Sequence, residues 1–216
     1  MTAYIIVMIL GLVAVFLWMA ISRRPESDLP QLLQRGQFAE VLRRTFEELK
    51  DDPKHVALRV LRGQAAVMAG EFDLALESFQ IAARLDPRDP TAAEGVALAM
   101  AYAGRSMTEA CELMEKTRQS LPAIQEFQGL AVAFLLLKSG DREAALREFA
   151  DQRELLETRF ELDYTDQDAT LAETLYHYAI LAAEAGDEDA AEQLFSRVRQ
   201  WGKGTVFERW SESARR

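Results

Sequence analysis

An all-α solenoid of repeated helix–turn–helix units is the fold class this 216-residue chain predicts, and three observations predict it. Gly36, Gly70 and Gly104 recur every 34 residues and Gly140 follows 36 residues later. Such an interval marks a two-helix unit stacked on copies of itself. Small and aromatic residues follow these glycines at helical spacing, as crossing helices require. Away from the unit boundaries, prolines and glycines seldom interrupt the pattern, so the helices between boundaries run unbroken.

The second unit, residues 56–87, states the pattern most fully. Gly63 and Gly70 are followed by Phe72, Ala75, Phe79, Ala82 and Leu85-Asp86-Pro87. Gly63, Ala75 and Ala82 suit helix crossings, where small side chains let backbones approach, and Phe72 and Phe79 fill the space between them. Gly70 ends the first helix in a left-handed conformation and Pro87 cannot continue the second. This order of small, aromatic and proline positions resembles the tetratricopeptide repeat. The resemblance implies a TPR-like α-solenoid whose first helices line a concave face that holds another polypeptide.

The remaining units follow with graded completeness. The first has Gly36, Phe38, Val41 and Pro53 behind a leading helix shortened to residues 29–35, as a terminal repeat or a capping hairpin would. In the third, Ala97, Gly104, Ala110, Met114 and Pro122 fit if one residue is inserted in the turn at 104–107. The fourth supplies Ala133, Gly140, Ala145 and Phe149, and the fifth Ala179, Gly186, Ala191 and Phe195. Extra chain at 151–170 predicts an extended second helix and a polar connection at 163–166. The expected organisation is an anchor at 1–24, about five repeats over 25–203, and a capping helix at 204–216.

Residues 4–21 carry no charge and are long enough to cross a bilayer as a helix. Eleven of them are Leu, Ile, Val or Phe, which favours insertion by roughly 3 to 7 kcal/mol. A cleaved secretory signal is the competing reading, but no Lys or Arg precedes the run and no small-x-small site follows it. Arg23 and Arg24 follow instead, and basic residues beside a span tend to stay in the cytoplasm. A single-pass protein of a bacterial inner membrane, with its repeats facing the cytoplasm, is the expected placement. An anchor followed at once by Arg-Arg and then repeats is similar to the membrane-anchored bacterial tetratricopeptide type that regulates lipopolysaccharide synthesis. Those proteins have more repeats and a zinc-binding C-x-x-C module, which this chain lacks, so the likeness bears on topology and not on substrate.

Charge and composition narrow the partners. Against 25 basic side chains stand 35 acidic ones, a net charge of −10, which disfavours nucleic acid and anionic headgroups. Cys111 is the single cysteine, so no intrachain disulfide or thiolate metal site can form. It follows Ala110 in a second helix, the place of a packing residue. His55 and His177 have no partner at ligand spacing, and each glycine stands alone, without a phosphate loop. The chain therefore reads as a binding module with no enzyme activity, no cofactor, no metal and no small-molecule substrate.

Placed on the concave face, the first helices present Val60, Gln64, Val67 and Met68, then Glu94, Leu98 and Tyr102. Leu130, Phe134, Leu137 and Lys138 come from the fourth unit, and Tyr176 and Ile180 from the fifth. These are mostly aliphatic and aromatic, unlike a clamp for a partner's terminal carboxylate. Residues 127–137 are apolar all round and too short to span a membrane, so something must cover every side. The chain can supply that cover itself: the helix carrying Phe207 and Trp210 is placed to lie over the solenoid's end, while for Leu130 and Phe134 partner binding and core packing remain equal alternatives. The function expected is a membrane-tethered scaffold or assembly factor that binds an apolar or amphipathic helical segment of a membrane-associated protein partner. A permanent structural subunit of a membrane complex and a periplasmic envelope scaffold are the alternatives.

Overall fold

The computed structural model describes residues 28–120, 125–161 and 168–214. Two compact units divide the chain, Met1–Pro30 and Gln31–Arg216. The apolar run 4–21 and the expected boundary after residue 24 lie outside the described residues. Among the described residues, no helix is long and apolar enough to cross a membrane.

The short helix α1 (Leu29–Gln34) precedes α2 (Phe38–Asp51). Then come α3 (Val56–Ala69) with α4 (Phe72–Leu85), α5 (Pro90–Tyr102) with α6 (Met107–Ser120), and α7 (Gln125–Ser139) with α8 (Arg142–Glu161). A 3-10 turn at Ala169–Leu171 leads into α9 (Ala172–Glu184), which pairs with α10 (Glu188–Trp201) before α11 (Val206–Ser213). The 20-residue α8 is the extended second helix that the sequence predicts. The polar connection at 163–166 lies outside the described residues.

Local chemistry sets these boundaries. Gly70 takes φ +83°, its amide bonds the Val67 carbonyl at 2.9 Å, and the next amide, Glu71, reaches back to Ala66 at 2.8 Å. Two otherwise orphaned carbonyls of α3 are thereby satisfied. The turn around Gly104 is one residue longer, since α6 starts three residues after its glycine and α4 only two, as the pattern required. At the start of α5, the Asp89 carboxylate accepts from the Thr91 and Ala92 amides, and Pro90 occupies the first turn, where no amide is needed.

The crossing in the second pair shows why Gly63 is glycine. A Cβ built there would stand 2.7 Å from the Phe79 ring, and one built at Gly95 would stand 2.6 Å from it. The ring is thus wedged between α3 and α5, with Ala75 and Ala82 fully buried on its own helix. Farther along, α7 packs against α5, α6, α8 and α9. Neighbours on so many sides explain why its sequence has no polar stripe until the exposed Lys138 and Ser139.

The last helix departs from expectation. Instead of only closing the solenoid's end, α11 packs on α10 and α9 and reaches back to α3 of the second pair. Val206 Cβ lies 3.5 Å, and Arg209 Nη2 3.3 Å, from where a Cβ of Gly70 would stand. The first helices carry apolar and aromatic residues on their inner side, and α11 supplies the cover for them.

Candidate functional site

Tyr102, at the end of α5, is the hub of the inner face. Its ring lies 5.3 Å from Phe72, 6.1 Å from Phe134, 6.0 Å from His177, 5.8 Å from Phe207 and 5.6 Å from Trp210, centroid to centroid. Trp210 also meets Phe72 and Tyr176, each at 5.6 Å. Phe207 is fully buried, whereas Trp210 stays partly open. Tilted and edge-on ring pairs at these distances combine burial with favourable quadrupole geometry. One face of α11, spaced i and i+3, is therefore seated in an aromatic cradle built by four repeats.

Beneath the rings lies a polar relay. The Tyr102 hydroxyl donates to Glu173 Oε1 at 2.6 Å and lies 2.5 Å from His177 Nε2. The His177 ring stacks on Phe134 at 3.9 Å and 21°. Burial disfavours charge on every member. It pushes the Glu173 carboxyl up to about 7, against the smaller opposing effect of the Tyr102 hydrogen bond. It pushes His177 down to about 3, aided by the positive charge of Lys138. The Tyr102 phenol is raised well above its usual range by burial first and by Glu173 next. Glu173 as a whole residue is only half-buried, but its carboxyl group is enclosed by protein.

Since a phenol has one proton, this relay has two complete arrangements. With Glu173 ionised, Nε2–H of His177 donates to Tyr102 and Tyr102 donates to the carboxylate. With Glu173 neutral, its own O–H donates to Tyr102 and Tyr102 donates to an unprotonated Nε2. Both keep the Tyr102 hydroxyl, His177 Nε2 and Glu173 Oε1 paired, and the change between them exchanges the imidazole tautomer.

The residues expected on the concave face are distributed unevenly. Tyr102, Phe134, Lys138 and Tyr176 are brought together, lining a pocket of about 490 Å3 with Ala101 and with Trp210, Ser213 and Ala214 of α11. Val67, Met68, Leu98 and Leu130 are buried, as are Phe134 and Tyr176, so the continuous exposed apolar track does not form. The reason is twofold: adjacent first helices pack on one another, and α11 lies across them. Val60, Gln64, Glu94, Leu137 and Ile180 are half-buried, outside the pocket. Glu173 and His177 were missed by sequence reasoning. Their four-residue spacing puts both on one face of α9, which is the signal that could have singled them out.

A second pocket, about 480 Å3, runs between α6, α7 and α8 past Cys111, Met114, Val132 and Leu135. Cys111 is half-buried, and burial raises its thiol above the ordinary range despite a hydrogen bond with Ser139. That protonated thiol suits packing and not nucleophilic attack. His55 caps α3, its Nδ1 accepting from the Leu58 amide at 3.3 Å. Among the described residues, no group of three His, Cys, Asp or Glu side chains is placed to hold a metal ion.

The tetratricopeptide-repeat family model matches residues 32–90 and again, one unit on, residues 60–123. The matches support a tetratricopeptide-repeat family. Beyond them, the fourth and fifth helix pairs bury small and aromatic residues at the corresponding positions, Ala133, Ala145, Phe149, Ala179, Ala191 and Phe195. No curated protein matches the chain.

Proposed function

We propose that this chain is a membrane-tethered scaffold or assembly factor, held by residues 4–21, whose concave face takes an amphipathic helix from a membrane-associated protein. Tetratricopeptide repeats suggest protein–protein interaction in general. The observation that carries the finer reading is α11 itself: the inner face already holds a short amphipathic helix through Phe207 and Trp210. A surface that accepts aromatic residues at i and i+3 from its own chain offers the same chemistry to a partner helix. The partner would compete with α11 for that surface, and tethering would raise the local concentration of membrane neighbours.

Photo-crosslinking in intact membranes tests this. A photoreactive residue replacing the half-buried Ala101 is expected to capture a membrane protein only weakly in the full chain. Capture should rise when residues 204–216 are removed. Equal or absent capture in both forms counts against the groove as the partner's site.

A further inference from the structure

The pocket beside α11 holds two donors that neither the repeats nor the docked helix uses. Lys138, in the last turn of α7, is exposed, and its Nζ stands 5.5 Å from the centre of the Phe134 ring. The Tyr176 ring is buried against Phe207 and Trp210. Neither the Lys138 ammonium nor the Tyr176 hydroxyl has an ion-pair or hydrogen-bond partner among the described residues. The Tyr102 hydroxyl, by contrast, is already committed to Glu173 and His177, so Tyr102 offers the pocket only its ring.

What would complete such a pocket follows from those groups. About 490 Å3 is the size of a small-molecule site. Rings of Tyr102, Tyr176 and Trp210, with Tyr102 and Tyr176 each 5.6 Å from Trp210, form flat apolar walls suited to a planar body. An ammonium and a phenol are both donors, and a carboxylate accepts from both at once. In a chain of net charge −10, an exposed ammonium without an ion-pair partner among the described residues, on the lining of an aromatic pocket, is a local reversal of sign. We propose that this pocket binds a small aromatic carboxylic acid as its anion, the ring against Tyr102, Tyr176 and Trp210 and the carboxylate on Lys138 and Tyr176.

Because Trp210, Ser213 and Ala214 form one wall, the site exists only while α11 is seated. The ligand and the proposed partner therefore exclude each other, and an occupied site holds α11 in place by mass action. Direct binding of the acid to the protein alone is read without any partner, so its failure and the failure of the partner reading are distinguishable. Full-length protein in a neutral detergent is titrated with 4-phenylbutyrate and with the matching uncharged amide, followed by ligand-observed NMR. The acid is expected to bind about tenfold more tightly than the amide. Lys138→Met should bring the acid down to the level of the amide and leave the amide unchanged, and Tyr176→Phe should weaken the acid severalfold. Lys138 is exposed, so its replacement does not threaten the fold, which circular dichroism verifies. Equal binding of acid and amide, no binding of either, or undiminished acid binding by Lys138→Met overturns the proposal. A peptide that ends in phenylalanine and displaces the free acid from a more tightly bound state would overturn the assignment to a small ligand.

Discussion

Glu173 and His177 share one hydroxyl and carry opposite pH dependences. Glu173, with its pKa raised from 4.5 to about 7, contributes stability that is complete below 4.5 and lost as pH rises to 7. His177, lowered from 6.5 to about 3, contributes stability that is complete above 6.5 and lost as pH falls to 3. Between 4.5 and 6.5 the two slopes oppose each other. Glu173→Gln should leave only the histidine limb, so that unfolding free energy rises with pH across this window relative to the parent. His177→Asn should leave only the carboxyl limb and reverse that slope; chemical denaturation at several pH values reads both. Gly63 is the other informative residue. Helix propensity favours Ala over Gly by about 1 kcal/mol, but the Phe79 ring, fixed on its far side by Gly95, has nowhere to move. Overpacking of about 1 to 3 kcal/mol should win, making Gly63→Ala destabilising. In a Phe79→Leu background the same change should cost less, a coupling that a double-mutant cycle measures.

Helix boundaries were legible because they rest on near neighbours in sequence. Gly70, Asp89 and Pro90 act within one turn of themselves, and the extra residue after Gly104 shows in the spacing alone. The place of α11 was not legible, since its amphipathic pattern says only that one face is covered, not by which helix. Nor could Tyr102, Glu173 and His177 be grouped: Tyr102 is 71 and 75 residues from its two partners, and only the stacking of whole pairs brings them together. Within α11 the two anchors should separate by burial. Phe207, fully buried, should cost about 3 to 5 kcal/mol when replaced by Ala. Trp210, partly open and replaceable by a partner's side chain, should lower the melting temperature less while raising partner capture.

At the scale of the whole molecule, topology decides where a partner can come from. If residues 4–21 tether the chain as proposed, with Arg23 and Arg24 on the cytoplasmic side, a cysteine at the exposed position Asp189, in a Cys111→Ser background, should resist impermeant thiol reagents in intact cells. Labelling without permeabilisation would favour the envelope alternative. The contact of α11 with α3 has a further consequence, for folding. Stacked repeats touch only their neighbours, so such arrays can fray from an end, one unit at a time. Here a segment beyond residue 205 leans on the second pair, so the intervening pairs cannot open singly without surrendering that long-range contact. The energetics become those of a clasped chain rather than a row of links, and the non-local closure slows folding while it sharpens melting. Native-state hydrogen exchange should find α3 to α10 opening together in the full chain, and the same helices opening at graded free energies once residues 204–216 are gone.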